Sequence, residues 1–194
     1  MNYLAHAFLS FHKPEVMVGN MISDFVKGKL QYTYPPPIQV GIQLHRYIDA
    51  FTDAHIITKE AATYFKPAVG LYAGAFVDIV YDHFLAIDAQ QFHPLTLQQF
   101  SLNTYQTLEA NKIHLPITFV KMLPYMVQHN WLYNYQYKWG IEKSFNGMVK
   151  RAKYLSSANA AFEIFNSNYL ALQLLYQSFI KEVKVAAENK LSSL

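Results

Sequence analysis

Two carboxylates and an imidazole lie in an otherwise apolar stretch of the sequence, residues 77–84 (VDIVYDHF). At helical spacing Asp78 and Asp82 stand one turn apart on the same face, and His83 follows directly. Apolar side chains cover the other directions of this helix, so it is expected to be buried. Two neighbouring carboxylates destabilise each other when both are ionised in a dry core. A bound cation removes that conflict, and the segment therefore predicts a buried metal site.

Residues 41–53 (GIQLHRYIDAFTD) contain a second group of polar residues at helical spacing. At 100° per residue, His45 and Asp49 share a stripe with isoleucines and are expected to point toward the core. A histidine followed by an acid one turn later can supply two ligands to one ion, or a ligand and the partner that orients it. Arg46 and Asp53 share a neighbouring side, where the guanidinium can hold a phosphate oxygen or pair with the acid.

Two further segments offer polar groups at the same one-turn spacing. Asn20 precedes Asp24 by one turn, and Asn2 precedes His6 in the same way. The chain has no cysteine, so the available ligands are imidazole nitrogens and carboxylate or amide oxygens. This set favours manganese, magnesium or iron, and zinc remains compatible.

Each of these residues also has an ordinary structural explanation. A buried histidine such as His45 is more often a hydrogen-bonded core residue than a ligand. Asp24 can pair with a nearby lysine, and Asp49 with Arg46 on a helix surface. The aromatic segment 131–137 is explained most simply by packing, with the wall of a binding cleft as the alternative. The metal interpretation is strongest for the paired acids of residues 78–82, because burying two carboxylates without a cation or arginine is costly.

The elements that must position these groups are helices. Apolar residues recur at intervals of three and four, and no long alternating pattern predicts a strand. Prolines and Gly140 mark the breaks, including the one at His93. Helices are predicted over residues 2–11, 15–29, 38–65, 68–88, 96–110, 118–137, 141–155 and 157–188. No repeat or linker divides the chain, so we expect one all-α domain over residues 1–194.

Composition limits the class of protein. Of the 194 residues, 52% are hydrophobic, which is enough for one core. The absence of cysteine excludes disulfides and thiolate ligands and agrees with a reducing cytoplasm. A net charge of +3 is compatible with an acidic partner but too small to predict nucleic-acid binding. Neither an export signal nor a membrane span is expected.

Short motifs follow one another in order along most of the chain, at residues 1–6, 19–20, 24–28, 35–36, 41–42, 45–46, 48–49, 52–53, 78, 82–84, 146–148 and 151. Together they closely resemble the bacterial acyl carrier protein phosphodiesterases. That family is similar to the HD-type metal-dependent phosphohydrolases, although the pair here reads Asp82-His83 instead of histidine first. The resemblance implies a multi-helix, HD-phosphohydrolase-like bundle.

The resemblance further implies hydrolysis of the phosphodiester that joins 4'-phosphopantetheine to a serine of holo acyl carrier protein, which is the implied partner. A divalent metal, Mn²⁺ first and Mg²⁺ or Fe²⁺ otherwise, suits this reaction because it polarises the phosphoryl oxygen and supplies hydroxide near neutral pH. Asp49 is expected to orient a histidine or accept a proton from water, and Arg46 and Arg151 to balance phosphate charge. The implied metal ligands are His6, Asp24, His45, Asp78, Asp82 and His83.

Two other functions remain open from the residues alone. One is a metal-dependent phosphohydrolase of nucleotides or another small phosphodiester, and the other is a non-catalytic helical protein that binds a metal or small ligand. If the partner is an acidic carrier protein, basic side chains are expected to steer its approach. The candidates are Lys27, Lys29, Lys143 and Lys150.

Overall fold

A computed structural model describes residues 1–92 and 94–194, and the predicted break at His93 lies outside these residues. Within them the chain forms eleven α-helices joined by 3₁₀ turns, with no β-strand, which confirms the predicted all-α class. The helices are α1 (Tyr3–Phe8), α2 (Pro14–Ile22), α3 (Pro36–Ala54), α4 (Ile56–Val69), α5 (Ala73–Ala86), α6 (Pro94–Ala110), α7 (Ile117–Gln128), α8 (Trp131–Asn134), α9 (Lys138–Arg151), α10 (Asn159–Ser167) and α11 (Tyr169–Ser192).

Several predicted helices end earlier in the structure, at residues that change the backbone direction. The predicted helix 38–65 is divided at His55, which is extended (φ −68°, ψ 135°) and whose ring accepts a hydrogen bond from the backbone N–H of Ile57. The predicted helix 118–137 is divided at Asn130, which is left-handed with φ 43°. Pro67 does not break α4, which continues to Gly70 at φ 54°. Capping side chains and left-handed residues therefore set these boundaries.

Helix α5 lies at the centre of the fold and packs against α1, α4, α9 and α11. Eleven of its 14 residues are buried, as expected for a helix surrounded by protein. Tyr81 stacks on Phe179 of α11 with ring centroids 5.0 Å apart, and Phe76 packs on Phe145 of α9 at 4.6 Å. These contacts hold α5 against two helices of the C-terminal half, and α1 packs on it from the N-terminal end.

Helices α2 and α3 touch through their backbones because each has a glycine at the crossing. A Cβ on Gly19 would clash with the carbonyl oxygen of Ile38 and lie 2.9 Å from the Cα of Gly41. A Cβ on Gly41 would clash with the carbonyl oxygen of Val16. Neither position admits a side chain. The close contact brings Asn20, the residue after Gly19, against α3.

One apolar stretch, Ile56–Ala86, is long and apolar enough to cross a membrane, and its most apolar 18-residue window has a mean hydropathy of 1.2. In the structure 61% of that stretch's most apolar window is buried within the protein. It comprises α4, a 3₁₀ turn and the central helix α5. A single stretch of this kind is weak evidence for a membrane span, because a buried core helix passes the same test.

Candidate metal centre and adjoining cavity

Two histidines from different helices converge on one carboxylate. The rings of His6 in α1 and His45 in α3 are stacked, with centroids 3.9 Å apart. The Nε2 atom of His6 lies 3.2 Å from Oδ1 of Asp49, and the Nε2 atom of His45 lies 3.1 Å from Oδ2. The ligand atoms of these three residues all lie within 4.8 Å of one another. They form a group that can hold a metal ion.

Asn20 determines which nitrogen of each imidazole carries the proton. Its side-chain oxygen lies 2.8 Å from Nδ1 of His6, and its backbone oxygen lies 2.7 Å from Nδ1 of His45. The amide orientation follows from its Nδ2 atom, which donates to the backbone oxygen of His6 and to the hydroxyl of Ser10. Both Nδ1 atoms therefore donate, which leaves the Nε2 lone pairs of the neutral rings directed at the carboxylates. Metal-binding histidines need this tautomer.

When both rings are neutral, the converging atoms are all acceptors. Nε2 of His6 and Oδ1 of Asp49 are both buried, with no hydrogen-bond partner among the described residues. Burial lowers the pKa of His45, but hydrogen bonds to Asp24 and Asp49 outweigh it and raise the pKa to about 9. Burial and the nearby His45 lower the pKa of His6 to about 4. A proton on His45 therefore leaves Nε2 of His6 and Oδ1 of Asp49 without a donor. A divalent cation matches this set of ligand atoms.

Asp24 forms the open side of the group. Its Oδ1 lies 3.2 Å from Nε2 of His45, and its side chain is 70% exposed. Arg46 holds the segment that follows Asp24, because its guanidinium donates to the backbone oxygen of Val26 at 3.0 Å and to the side-chain oxygen of Gln31 at 2.8 Å. The guanidinium of Arg46 is therefore hydrogen-bonded to this segment. Its contact with phosphate stays a prediction.

Asp78 lies behind the group, next to the amino terminus. The α-amino nitrogen of Met1 is 2.8 Å from Oδ1 of Asp78 and 3.7 Å from Oδ1 of Asp49. Burial raises the pKa of Asp78, and the ammonium opposes this rise. The structure thus brings Asp78 close to the His6–His45–Asp49 group but pairs it with an amine.

Asp82 is not brought to the histidine pair. It is fully buried, and its Oδ2 and Oδ1 atoms accept hydrogen bonds from the backbone N–H groups of Leu4 at 2.7 Å and Ala5 at 3.1 Å. Burial raises the pKa of Asp82 to about 7, against the effect of these two donors. The residue anchors the first turn of α1, the helix that carries His6. Its predicted role as a ligand is untested.

His83 also lies apart from the group, with both ring nitrogens engaged. Its Nδ1 is 2.7 Å from the backbone oxygen of Tyr135, and its Nε2 is 2.7 Å from the hydroxyl of Tyr169. Burial lowers the pKa of His83 to about 4, so the ring is neutral at pH 7. It links α5 to the segment after α8 and to α11. Its role as a ligand likewise stays a prediction.

A cavity of about 580 Å³ is lined by Asn2 and Ile79, which directly follow Met1 and Asp78, and it therefore opens close to the His6–His45–Asp49 group. Its volume is typical of small-molecule sites. Tyr3 lies between the two features: burial raises its pKa to about 12, the charge of Asp24 adds to the rise, and the charge of Arg151 opposes it. The aromatic segment 131–137 contributes to the wall, as the cleft alternative anticipated. The lining residues are Asn2, Tyr3, Ile79, Gln128, His129, Asn130, Trp131, Asn134, Tyr135, Trp139, Gly140, Lys143, Ser144, Gly147 and Arg151.

Comparison with known proteins identifies the family. The family model described as acyl carrier protein phosphodiesterase matches residues 1–183. The chain belongs to the acyl carrier protein phosphodiesterase family. Proteins called acyl carrier protein phosphodiesterase from Yersinia pestis and from Klebsiella pneumoniae (strain 342) are 31% and 32% identical to it, and that from Escherichia coli O157:H7 is 28% identical. Each match spans 191 residues, 98% of this chain and 99% of the relative. No solved structure matches the chain.

Proposed function

We propose that this protein is a metal-dependent phosphodiesterase that releases 4'-phosphopantetheine from the serine of holo acyl carrier protein and leaves the apo carrier. The family and the names of its relatives support the reaction and the substrate. The observation that carries the metal dependence is the convergence of two Nε2 lone pairs with the carboxylate of Asp49. A cytoplasmic location is part of this proposal and agrees with a chain that lacks cysteine.

The donor set supports Mn²⁺, with Mg²⁺ and Fe²⁺ as the other candidates, because it combines imidazole nitrogen with carboxylate oxygen. His6, His45 and Asp49 would hold the ion, and Asp24 would close the solvent side. When bound, such an ion polarises a phosphoryl oxygen and makes water a better nucleophile near neutral pH. Asn20 would keep both rings in the binding tautomer.

The surrounding side chains supply the remaining functions. Asp24 is the most accessible carboxylate of the group and can accept a proton from an entering water. Asp49 contacts both histidines and holds them in place. Arg151 lines the cavity next to Tyr3, where its guanidinium can balance phosphate charge. Arg46 fixes the segment after Asp24.

The mass of purified holo carrier protein before and after incubation with the enzyme and Mn²⁺ tests this function. We expect a loss equal to the phosphopantetheine moiety, and none with His45→Gln. His55→Gln is the matched control, because that histidine caps α4 away from the group. A carrier mass that stays unchanged with Mn²⁺, Mg²⁺ and Fe²⁺ would contradict the proposal. Hydrolysis of a nucleotide or small diester under those conditions would favour the small-substrate alternative.

A further inference from the structure

Helix α9 forms one wall of the cavity, through residues spaced by three and four positions. Gly140, Lys143, Ser144, Gly147 and Arg151 all line it. This spacing places them along one side of the helix. The wall therefore consists of small residues between two cationic side chains.

The two glycines of this wall have different surroundings. A Cβ on Gly140 would clash with the backbone oxygen of Asn134, so packing requires glycine there. A Cβ on Gly147 would meet no atom within 4 Å. Glycine inside a helix is destabilising relative to alanine. Packing against the rest of the protein therefore does not account for Gly147, and its missing side chain enlarges the cavity.

The cavity runs along α9 between Arg151 and the exposed ring of Trp139. The lining residues Asn2 and Ile79 directly follow Met1 and Asp78, and the amino group of Met1 contacts Asp78 and Asp49, so part of the cavity lies close to the group. The charges of Asp24 and Arg151 both affect the pKa of Tyr3, which supports placing Arg151 at this end. Eight residues earlier on α9, about 12 Å along the helix axis, Lys143 lies over the exposed ring of Trp139, with its Nζ atom 4.7 Å from the ring centroid. A ligand lying along α9 can therefore reach both the metal-binding group and the solvent.

The lining matches a long, mostly uncharged chain that carries amide groups. Side chains with amides and aromatic rings make up much of the lining, and Ile79 adds an apolar surface. The side-chain oxygen of Asn130 is buried and has no hydrogen-bond partner among the residues that the structure describes. Because that oxygen has almost no accessible surface, a ligand in the cavity would instead meet the side-chain amides of Gln128 and Asn134. The pantetheine arm offers two amides and an apolar dimethyl carbon.

We propose that this cavity receives the phosphopantetheine arm of the holo carrier, with the phosphate at the Arg151 end, and that Gly147 determines specificity by leaving room for the arm. This inference rests on the proposed function and adds the binding site of the substrate's prosthetic group. The arm lies along α9 toward Trp139, and the carrier serine faces the exposed side of the group, near Asp24.

Leucine at Gly147 provides the test, because its side chain would project into the cavity. Gly74→Leu is the matched control: Gly74 is a half-buried helical glycine of α5, its added Cβ also meets no atom within 4 Å, and it does not line the cavity. The probe is free 4'-phosphopantetheine, whose binding is measured by calorimetry without any turnover. Thermal unfolding and Mn²⁺ binding are measured for each variant to show that the fold and the metal-binding group are intact.

We expect Gly147→Leu to weaken phosphopantetheine binding, and to lower kcat/KM for the holo carrier, by at least about 100-fold. Gly74→Leu should behave like the wild type. Gly147→Ala should give a smaller loss in the same direction, and it replaces the leucine variant if that variant does not fold. Equal affinity in the wild type and the Gly147 variants, or no affinity in the wild type, would overturn the inference. A wild type that binds the probe but leaves the holo carrier intact would contradict the proposed function alone.

Discussion

The proton that His45 shares with two carboxylates should make the stability of the metal-free protein depend on pH. Hydrogen bonds to Asp24 and Asp49 outweigh burial and raise the pKa of His45 from 6.5 to about 9. A group whose pKa rises on folding contributes stability that is complete below its unfolded pKa and is lost as pH rises through its folded pKa. The rise corresponds to about 3 kcal/mol of unfolding free energy, lost between pH 6.5 and about 9.

Other buried groups titrate mostly outside this window. Burial lowers the pKa of His6 and of His83 to about 4, so both contribute to a rise of stability with pH below about 6.5. Burial raises the pKa of Asp82 to about 7, so this group also lowers the stability as pH rises, mainly below neutral pH. The pKa of the Met1 amino group is raised above 8.0, and this group adds to the loss at higher pH. Between pH 7 and 8 we therefore expect His45 to dominate the slope.

Urea unfolding of EDTA-treated protein between pH 6.5 and 9 measures this effect. The wild type should lose at least about 3 kcal/mol across the range, whereas His45→Gln should be less stable at pH 6.5 and should lose much less than the wild type between pH 7 and 8. Mn²⁺ affinity of the wild type should rise about tenfold per pH unit below pH 9, because the ion and the proton compete for the same nitrogen. Parallel pH profiles for the wild type and His45→Gln would refute the assignment of a shared proton.

Four further predictions follow from the structure. Exhaustive chelation should abolish turnover and added Mn²⁺ should restore it, whereas activity that survives chelation would contradict a metal mechanism. Asn20→Ala should weaken Mn²⁺ affinity about 10- to 100-fold in a metal titration, because His6 loses the partner of its Nδ1 atom; an unchanged affinity would argue against this orienting role. Asp82→Asn should lower the free energy of unfolding by about 2 kcal/mol, since an NH₂ group would face a backbone N–H; a more stable variant would instead indicate relief of charge repulsion. Raising salt should slow association with the holo carrier more than it slows saturated turnover, and Lys143→Gln with Lys150→Gln should have the same effect; indifference to both would exclude electrostatic steering.

The helical class was predictable because the apolar periodicity is uniform along the chain. The exact helix ends were not, since they depend on contacts that periodicity does not encode. At His55 a ring nitrogen caps the next helix, and at Asn130 a left-handed residue interrupts a continuous pattern. Neither residue type breaks a helix in general.

The candidate site was predictable where one-turn spacing reflects a shared function. His45 and Asp49 were expected to act together, and they contact each other across one turn of α3. Residue spacing does not reveal contacts between residues that are far apart in the sequence, however. The carboxylate of Asp82 accepts hydrogen bonds from backbone groups that lie 77 and 78 residues away. From the sequence alone, a buried aspartate with this structural role looks the same as a metal ligand. Asn20 was expected to be an inward polar residue. Its hydrogen bonds to the Nδ1 atoms of His6 and His45 depend on how α1, α2 and α3 pack, which its position in the sequence does not show.

Because Gly19 and Gly41 are in backbone contact, the geometry of the histidine group should respond to any separation of α2 from α3. Because no side chain separates the helices where Gly19 meets Gly41, a displacement at this crossing moves one backbone directly against the other. A separation here would move the backbone oxygen of Asn20, which lies 2.7 Å from Nδ1 of His45 and orients that ring. The ring that would bind Mn²⁺ then turns with it. The electron paramagnetic resonance spectrum of the ion would thus record local opening of this helix pair before the rest of the protein unfolds.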